Sequence, residues 1–234
     1  MLIMKRTLFA LALLVGGMVP VAATPYGVEA DFTENPITEN EYYTFHSMGC
    51  MLLQECTAGV VEITSEQDLK DYYNGYKNLP QEFRDLLVTF KQIGIKVYLA
   101  PERYFDRNTR GIYHTVSNNF YLNDKFMQKP HILMSVIRHE GWHAAQDCMA
   151  GSIDNTFIAV IKNDKDIPQL WKDMAADIYP PTVLPWEQEA TWAGREEGMT
   201  LEALRACASP TPMWEILEPT PLTRQFLENE GYIK

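Results

Sequence analysis

The chain has 234 residues, 46% of them hydrophobic and 22% charged, which suits one ordinary globular domain, with or without an arm. Its 13 glycines and 14 prolines are too few for a low-complexity or collagen-like chain. A formal net charge of −11 opposes phosphate backbones and anionic membrane surfaces, so no nucleic acid is expected as a partner.

Residues 1–23 read as a signal peptide. Lys5 and Arg6 supply a positive start, Leu8 to Val15 a short apolar run, and Val21-Ala22-Ala23 the small residues a signal peptidase needs. Gly16, Gly17 and Pro20 interrupt the run, which is shorter than the roughly 20 residues of a membrane span. Cleavage after Ala23 is therefore expected, leaving no membrane span and a secreted or periplasmic, extracytoplasmic product. No Lys or Arg falls between Thr7 and Leu69, so residues 24–45, with Pro25 and Pro36, read as an acidic extended arm. Residues 46–234 then form the folded domain.

All four cysteines, Cys50, Cys56, Cys148 and Cys207, survive that cleavage. An even number in an exported chain points to two disulfides, with three possible connectivities. Cys50–Cys56 with Cys148–Cys207 is preferred, because the first pair is close in sequence and the second lies on two expected helices. The first pair cannot share one regular helix, where six residues rise about 9 Å.

Thr64-Ser65-Glu66-Gln67 has capping-box form and opens a helix carrying Leu69, Tyr72 and Tyr73. After Pro80 a second helix carries Phe83, Leu86, Leu87 and Phe90 and stops at Gly94. Ile95–Ala100, Gly111–Thr115 and Asn119–Asn123 read as strands. Pro130 opens an apolar helix running to about Cys148. Further helices are expected at 168–178, 185–197 and, after an N-cap at Thr200, 201–208. Residues 151–166 read as a loop with some β character, and the tail from Pro210 as Pro-rich with short turns. The order of elements is α+β: a short mixed or antiparallel sheet flanked by helices.

The informative string is His139-Glu140-Gly141-Trp142-His143, an HExxH motif. Random placement of this composition gives only about 0.01 such matches in a chain of this length. On a helix, positions i and i+4 share a face, so both imidazoles can bind one Zn²⁺. Glu140 is turned by roughly 100° from His139 and can hold a water instead of the metal.

This motif resembles that of the zincin metallopeptidases. Pro185-Trp186-Glu187-Gln188-Glu189-Ala190-Thr191 is similar to the E-x-x-A-D of gluzincins, with Thr191 where Asp is usual. The resemblance covers roughly residues 95–198. It implies a zincin-like fold, Zn²⁺ held by His139, His143 and Glu187, and Glu140 as catalytic base. It also implies that Gly111–Tyr113 and Asn119–Asn123 form the edge strand before the active-site helix, with Asn119 and Tyr121 binding substrate. Glu187 and Glu189 lie about 200° apart on a helix, so only one faces the metal. The Glu187 face continues through the small residues Ala190, Thr191 and Gly194, while the Glu189 face continues to Glu196 and reads as solvated.

Three protein ligands leave a fourth zinc position open, the catalytic pattern, so the expected function is a secreted zinc peptidase acting on a peptide or protein substrate. Tyr113, Tyr121 and His114 are the candidates for assisting the oxyanion. Two alternatives stay open: a zinc-holding, non-catalytic binding module, and a disulfide-stapled domain without metal.

Overall fold

The computed structural model describes Leu11–Ala12, residues 46–154 and residues 157–234. The expected signal segment 1–23, apart from that dipeptide, and the arm 24–45 lie outside the described residues. Among the described residues the architecture is α+β. The strands are β1 (Leu11–Ala12), β2 (Val61–Glu62), β3 (Lys96–Ala100), β4 (Gly111–His114) and β5 (Asn119–Asn123). The helices are α1 (His46–Leu52), α2 (Glu66–Tyr72), α3 (Gln81–Gln92), α4 (Asp124–Met127) and α5 (Pro130–Met149), followed by α6 (Gln169–Ala176), α7 (Leu184–Ala193), α8 (Met199–Cys207), α9 (Met213–Ile216) and α10 (Pro221–Asn229).

The sheet is mixed, in the order β1-β4-β5-β3-β2. β3 and β5 pair in parallel, while the other neighbours pair antiparallel; β1 contributes only Leu11 opposite Tyr113 and Ala12 opposite Ile112. Side chains alternate across the sheet as the pleat requires. Val97, Leu99, Tyr113, Phe120 and Leu122 enter the large core shared with α3, α5 and α8. Ala100, Ile112 and Tyr121 enter a smaller core on the opposite face, with Met48, Met51 and Leu52 of α1.

The structure places β5 inside the sheet, paired with β3 on one side and β4 on the other. Asn119–Asn123 is therefore not an edge strand, and its backbone groups are already engaged. The period-2 pattern identified the strand but carried no information about its neighbours, which come from separate parts of the chain.

α5 is the central helix. Pro130 occupies its first turn, and from Leu133 onward most of its residues are buried. α7 and α8 pack against it. Ala190 is fully buried, and a Cβ at Gly194 would lie 3.0 Å from the Ser135 carbonyl oxygen, so small residues do let α7 approach α5 closely. A bidentate ion pair between Arg138 and Glu82 ties α5 to α3, and Glu82 Oε1 also accepts the Gly198 N–H at 2.8 Å. Gly198, at φ +83°, is the N-cap of α8. Thr200, expected in that role, instead lies buried in the first turn and donates its hydroxyl to the Arg138 carbonyl at 2.9 Å.

Two further elements differ from expectation. Residues 151–166 contain no strand among those described, only a 3₁₀ turn at Asp164–Asp166. The tail forms a nine-residue helix, α10, whose Thr220 side chain accepts the Thr223 N–H and whose Pro221 fills the first turn. Both disulfides form as preferred: Cys50–Cys56, where α1 ends before the second cysteine, and Cys148–Cys207, which joins the C-terminal turns of α5 and α8.

Candidate metal centre

α5 and α7 bring three ligand atoms to one point. His139 and His143, one turn apart on α5, present their Nε2 atoms 3.1 Å from each other. Glu187, in the first turn of α7, places Oε2 3.3 Å from His139 Nε2 and Oε1 3.6 Å from His143 Nε2. Bonds of about 2.1 Å to a tetrahedral ion require ligand atoms roughly 3.4 Å apart, and one ligand atom from each of the three residues lies within 4.8 Å of the other two, a group that could hold one metal ion. Glu187 Oε2 is buried with no hydrogen-bond partner, which leaves ligand capacity for that ion. Two imidazoles and a carboxylate suit zinc chemically. Among the described residues this is the one group of three or more His, Cys, Asp or Glu side chains able to hold a metal.

Electrostatics mark the same cluster. Burial disfavours ionisation of both Glu187 and His143, but each stabilises the other's charge. Glu187 is held at about 2 by His143 and His139, and His143 is raised to about 9 chiefly by Glu187. Burial lowers His139.

Glu140 is one residue along from His139 and fully buried, and neither of its oxygens has a hydrogen-bond partner. Burial pushes its carboxyl up to about 8. It lies against β4, where a Cβ at residue 111 would come within 2.6 Å of Val136 Cγ1 and 3.0 Å of Glu140 Oε1. Gly111 is what allows the strand to sit this close to the carboxylate.

Glu189, two residues from Glu187, departs from the solvated face expected of it: it is fully buried. Its Oε2 accepts from Trp142 Nε1, Gln146 Nε2 and the Ile161 N–H at 3.0, 2.8 and 3.1 Å, and its Oε1 accepts the Lys162 N–H at 2.6 Å. Its helical face does point away from the His139–His143–Glu187 cluster. What covers it is the backbone at 161–162, which local sequence does not reveal.

The residues expected to bind substrate lie elsewhere. Asn119 and Tyr121 are buried, and their pleat positions face the α1 side of the sheet, opposite α5. His114 shares that face and contacts Ser117 Oγ through Nδ1 at 2.8 Å. Tyr113 points toward α5, but its hydroxyl donates to Asp147 Oδ2 at 2.9 Å. The hydroxyl beside the triad belongs to Tyr179, which the sequence reading missed. Its ring stacks on His139 at 6.5 Å, and its buried oxygen has no hydrogen-bond partner. Burial, with Glu187 and Glu140 next, drives its ionisation far above the usual phenol range, so it remains a proton donor. Only its position before Pro180-Pro181, shortly upstream of Glu187, could have drawn attention to it.

No known protein family, curated protein or solved structure matches this chain.

Proposed function

We propose that the protein is an exported zinc peptidase, with His139, His143 and Glu187 as metal ligands and Glu140 as general base. The observation that carries this reading is the Glu140 carboxylate, buried beside the triad with both oxygens unpartnered. A site that only held a metal would have no use for such a group, and leaving it unsatisfied costs stability. When bound, zinc supplies Lewis acidity toward a carbonyl and lowers the pKa of water. Glu140, ionised once a divalent charge sits beside it, accepts the proton of the attacking water and passes it to the departing amine. Tyr179 donates its hydroxyl to developing negative charge on the carbonyl oxygen. Cleavage after Ala23 would take β1 off β4, and a peptide substrate then adds antiparallel to that freed edge, on the strand that carries Gly111 against Glu140, where backbone hydrogen bonds hold it irrespective of sequence. The two disulfides suit an oxidising, extracytoplasmic compartment, and no helix among the described residues is long and apolar enough to cross a membrane.

A second reading, a zinc-holding module of a secreted binding protein, draws on the burial of the site: His139, Glu140, His143 and Glu187 are each at most 5% exposed. One experiment separates them. Zinc content and turnover of a peptide library are measured for wild type, His139→Ala, His143→Ala, Glu187→Ala and Glu140→Gln. The peptidase reading expects the three ligand variants to lose zinc, and Glu140→Gln to keep zinc but lose turnover by a factor of about 10² or more. Zinc without turnover in the wild type supports the binding module; undiminished cleavage by Glu140→Gln defeats the peptidase mechanism.

A further inference from the structure

Resting on the metal reading above, we infer that Gln146 and Glu189 form a positioning pair that sets the orientation and tautomer of His143 for metal binding. His143 Nδ1 meets Gln146 Oε1 at 2.8 Å, both buried. An amide could turn over and offer its NH₂ group instead, but here the other end of Gln146 is committed. Its Nε2 donates to Glu189 Oε2 at 2.8 Å and to the Trp186 carbonyl at 3.2 Å. Turning the amide would place its oxygen against two acceptors, so Oε1 stays toward His143. His143 Nδ1 must then carry a hydrogen, which makes Nε2, facing His139 and Glu187, the nitrogen left to bind a metal.

Glu189 is fixed in turn by donors from two segments: Trp142 and Gln146 on α5, and the backbone of Ile161 and Lys162. It cannot rotate without releasing four hydrogen bonds. Trp186 immediately precedes Glu187, so one Gln146 side chain sets the ring plane of one ligand and holds the backbone next to another. Neither Gln146 nor Glu189 touches the metal position. Their effect passes through His143 and through the spacing of α5 and α7.

The test reads metal affinity, not catalysis, using Zn²⁺ in chelator competition and the visible absorption of Co²⁺ as a report on coordination geometry. The proteins are the full chain, Gln146→Leu, Glu189→Gln and the exchange variant Gln146→Glu with Glu189→Gln. Gln146→Leu removes the acceptor for His143 and should weaken Zn²⁺ binding 10- to 100-fold, the usual effect of losing a partner behind a histidine ligand, and shift the Co²⁺ bands. The exchange variant restores a carboxylate–amide pair with the roles reversed and should recover most of the affinity lost in Gln146→Leu. Thermal unfolding of each metal-free variant separates a folded protein with a loosened ligand from an unfolded one.

Wild-type affinity and an unchanged Co²⁺ spectrum in folded Gln146→Leu overturn the inference while leaving the metal site intact. A loss in Gln146→Leu that the exchange variant does not recover also overturns it, by assigning Gln146 a packing role alone. A wild-type chain that takes up neither ion overturns the metal reading and this inference with it.

Discussion

Glu187 and Glu189 stand two residues apart on one helix, both buried, and they are opposite cases of how a protein treats a buried carboxylate. Glu189 accepts four N–H donors, so burial has left none of its charge without a partner. Glu187 Oε2 has no hydrogen-bond partner and meets only the His139 ring nitrogen, at 3.3 Å, while beside it neither Glu140 oxygen nor the Tyr179 hydroxyl has a hydrogen-bond partner. A buried polar atom without a partner costs roughly 1–3 kcal/mol, and more when charged. Such atoms gathered on one side of the α5–α7 contact, with complete satisfaction on the other, separate a place built to receive something from a place built to hold the chain together.

The strongest challenge to that contrast is to remove the satisfied member. Glu189→Ala removes the acceptor of four N–H groups, of which only that of Gln146 keeps another, the Trp186 carbonyl, and should lower stability by about 3–5 kcal/mol, seen as a large drop in Tm of the metal-free protein. Unchanged melting would mean that the four hydrogen bonds do not hold the structure and that the contrast fails. Removing an unsatisfied member should do the reverse. Glu140→Gln should stabilise the metal-free protein by about 1 kcal/mol, because it replaces a buried ionisable group lacking partners by a neutral one of the same shape. Chemical denaturation of both proteins at pH 9, where the wild-type carboxyl is ionised, checks the sign.

Asp147 sharpens the comparison, as it falls between the two cases. Its Oδ2 accepts from Tyr113, and its Oδ1 is buried without a partner. Burial pushes its carboxyl from 3.8 up to about 8. A folded-state pKa above the unfolded one means that its contribution to stability is fully present below about 3.8 and lost as pH rises through about 8. Asp147→Asn should therefore flatten the fall in Tm between pH 5 and pH 9. An identical pH profile in the variant would show that Asp147 ionises freely in the fold.

What could be read from sequence follows from how local each determinant is. The His139–His143 pair was legible because a helix fixes the spacing of i and i+4, and Glu187 because the small residues beyond it mark the face that approaches another helix. Both disulfide pairings followed from where the cysteines lie relative to helix ends. Glu189 was misread because a glutamate with a helical neighbour at Glu196 looks solvated, and the backbone at 161–162 that covers it arrives through a loop with no regular pattern. The pairing of Asn119–Asn123 on both edges is likewise non-local, as is the arrival of Tyr179 from the segment before α7. Thr220-Pro221 did carry a helix-start signal, but the prolines of the tail obscured it.

The Cys148–Cys207 bond spans a sequence separation of 59 residues, and Glu187 lies inside the ring that it closes. In the unfolded chain such a ring restricts the excursions of the enclosed segment, which on chain-statistics grounds stabilises the folded state by about 4 kcal/mol. It has a second effect wherever a protease meets the folded chain. A single cut anywhere between the two cysteines opens the ring but separates no fragment, so the strand of chain bearing Glu187 stays covalently tied to the helix bearing both histidines. Only reduction together with cleavage would let Glu187 diffuse away from His139 and His143.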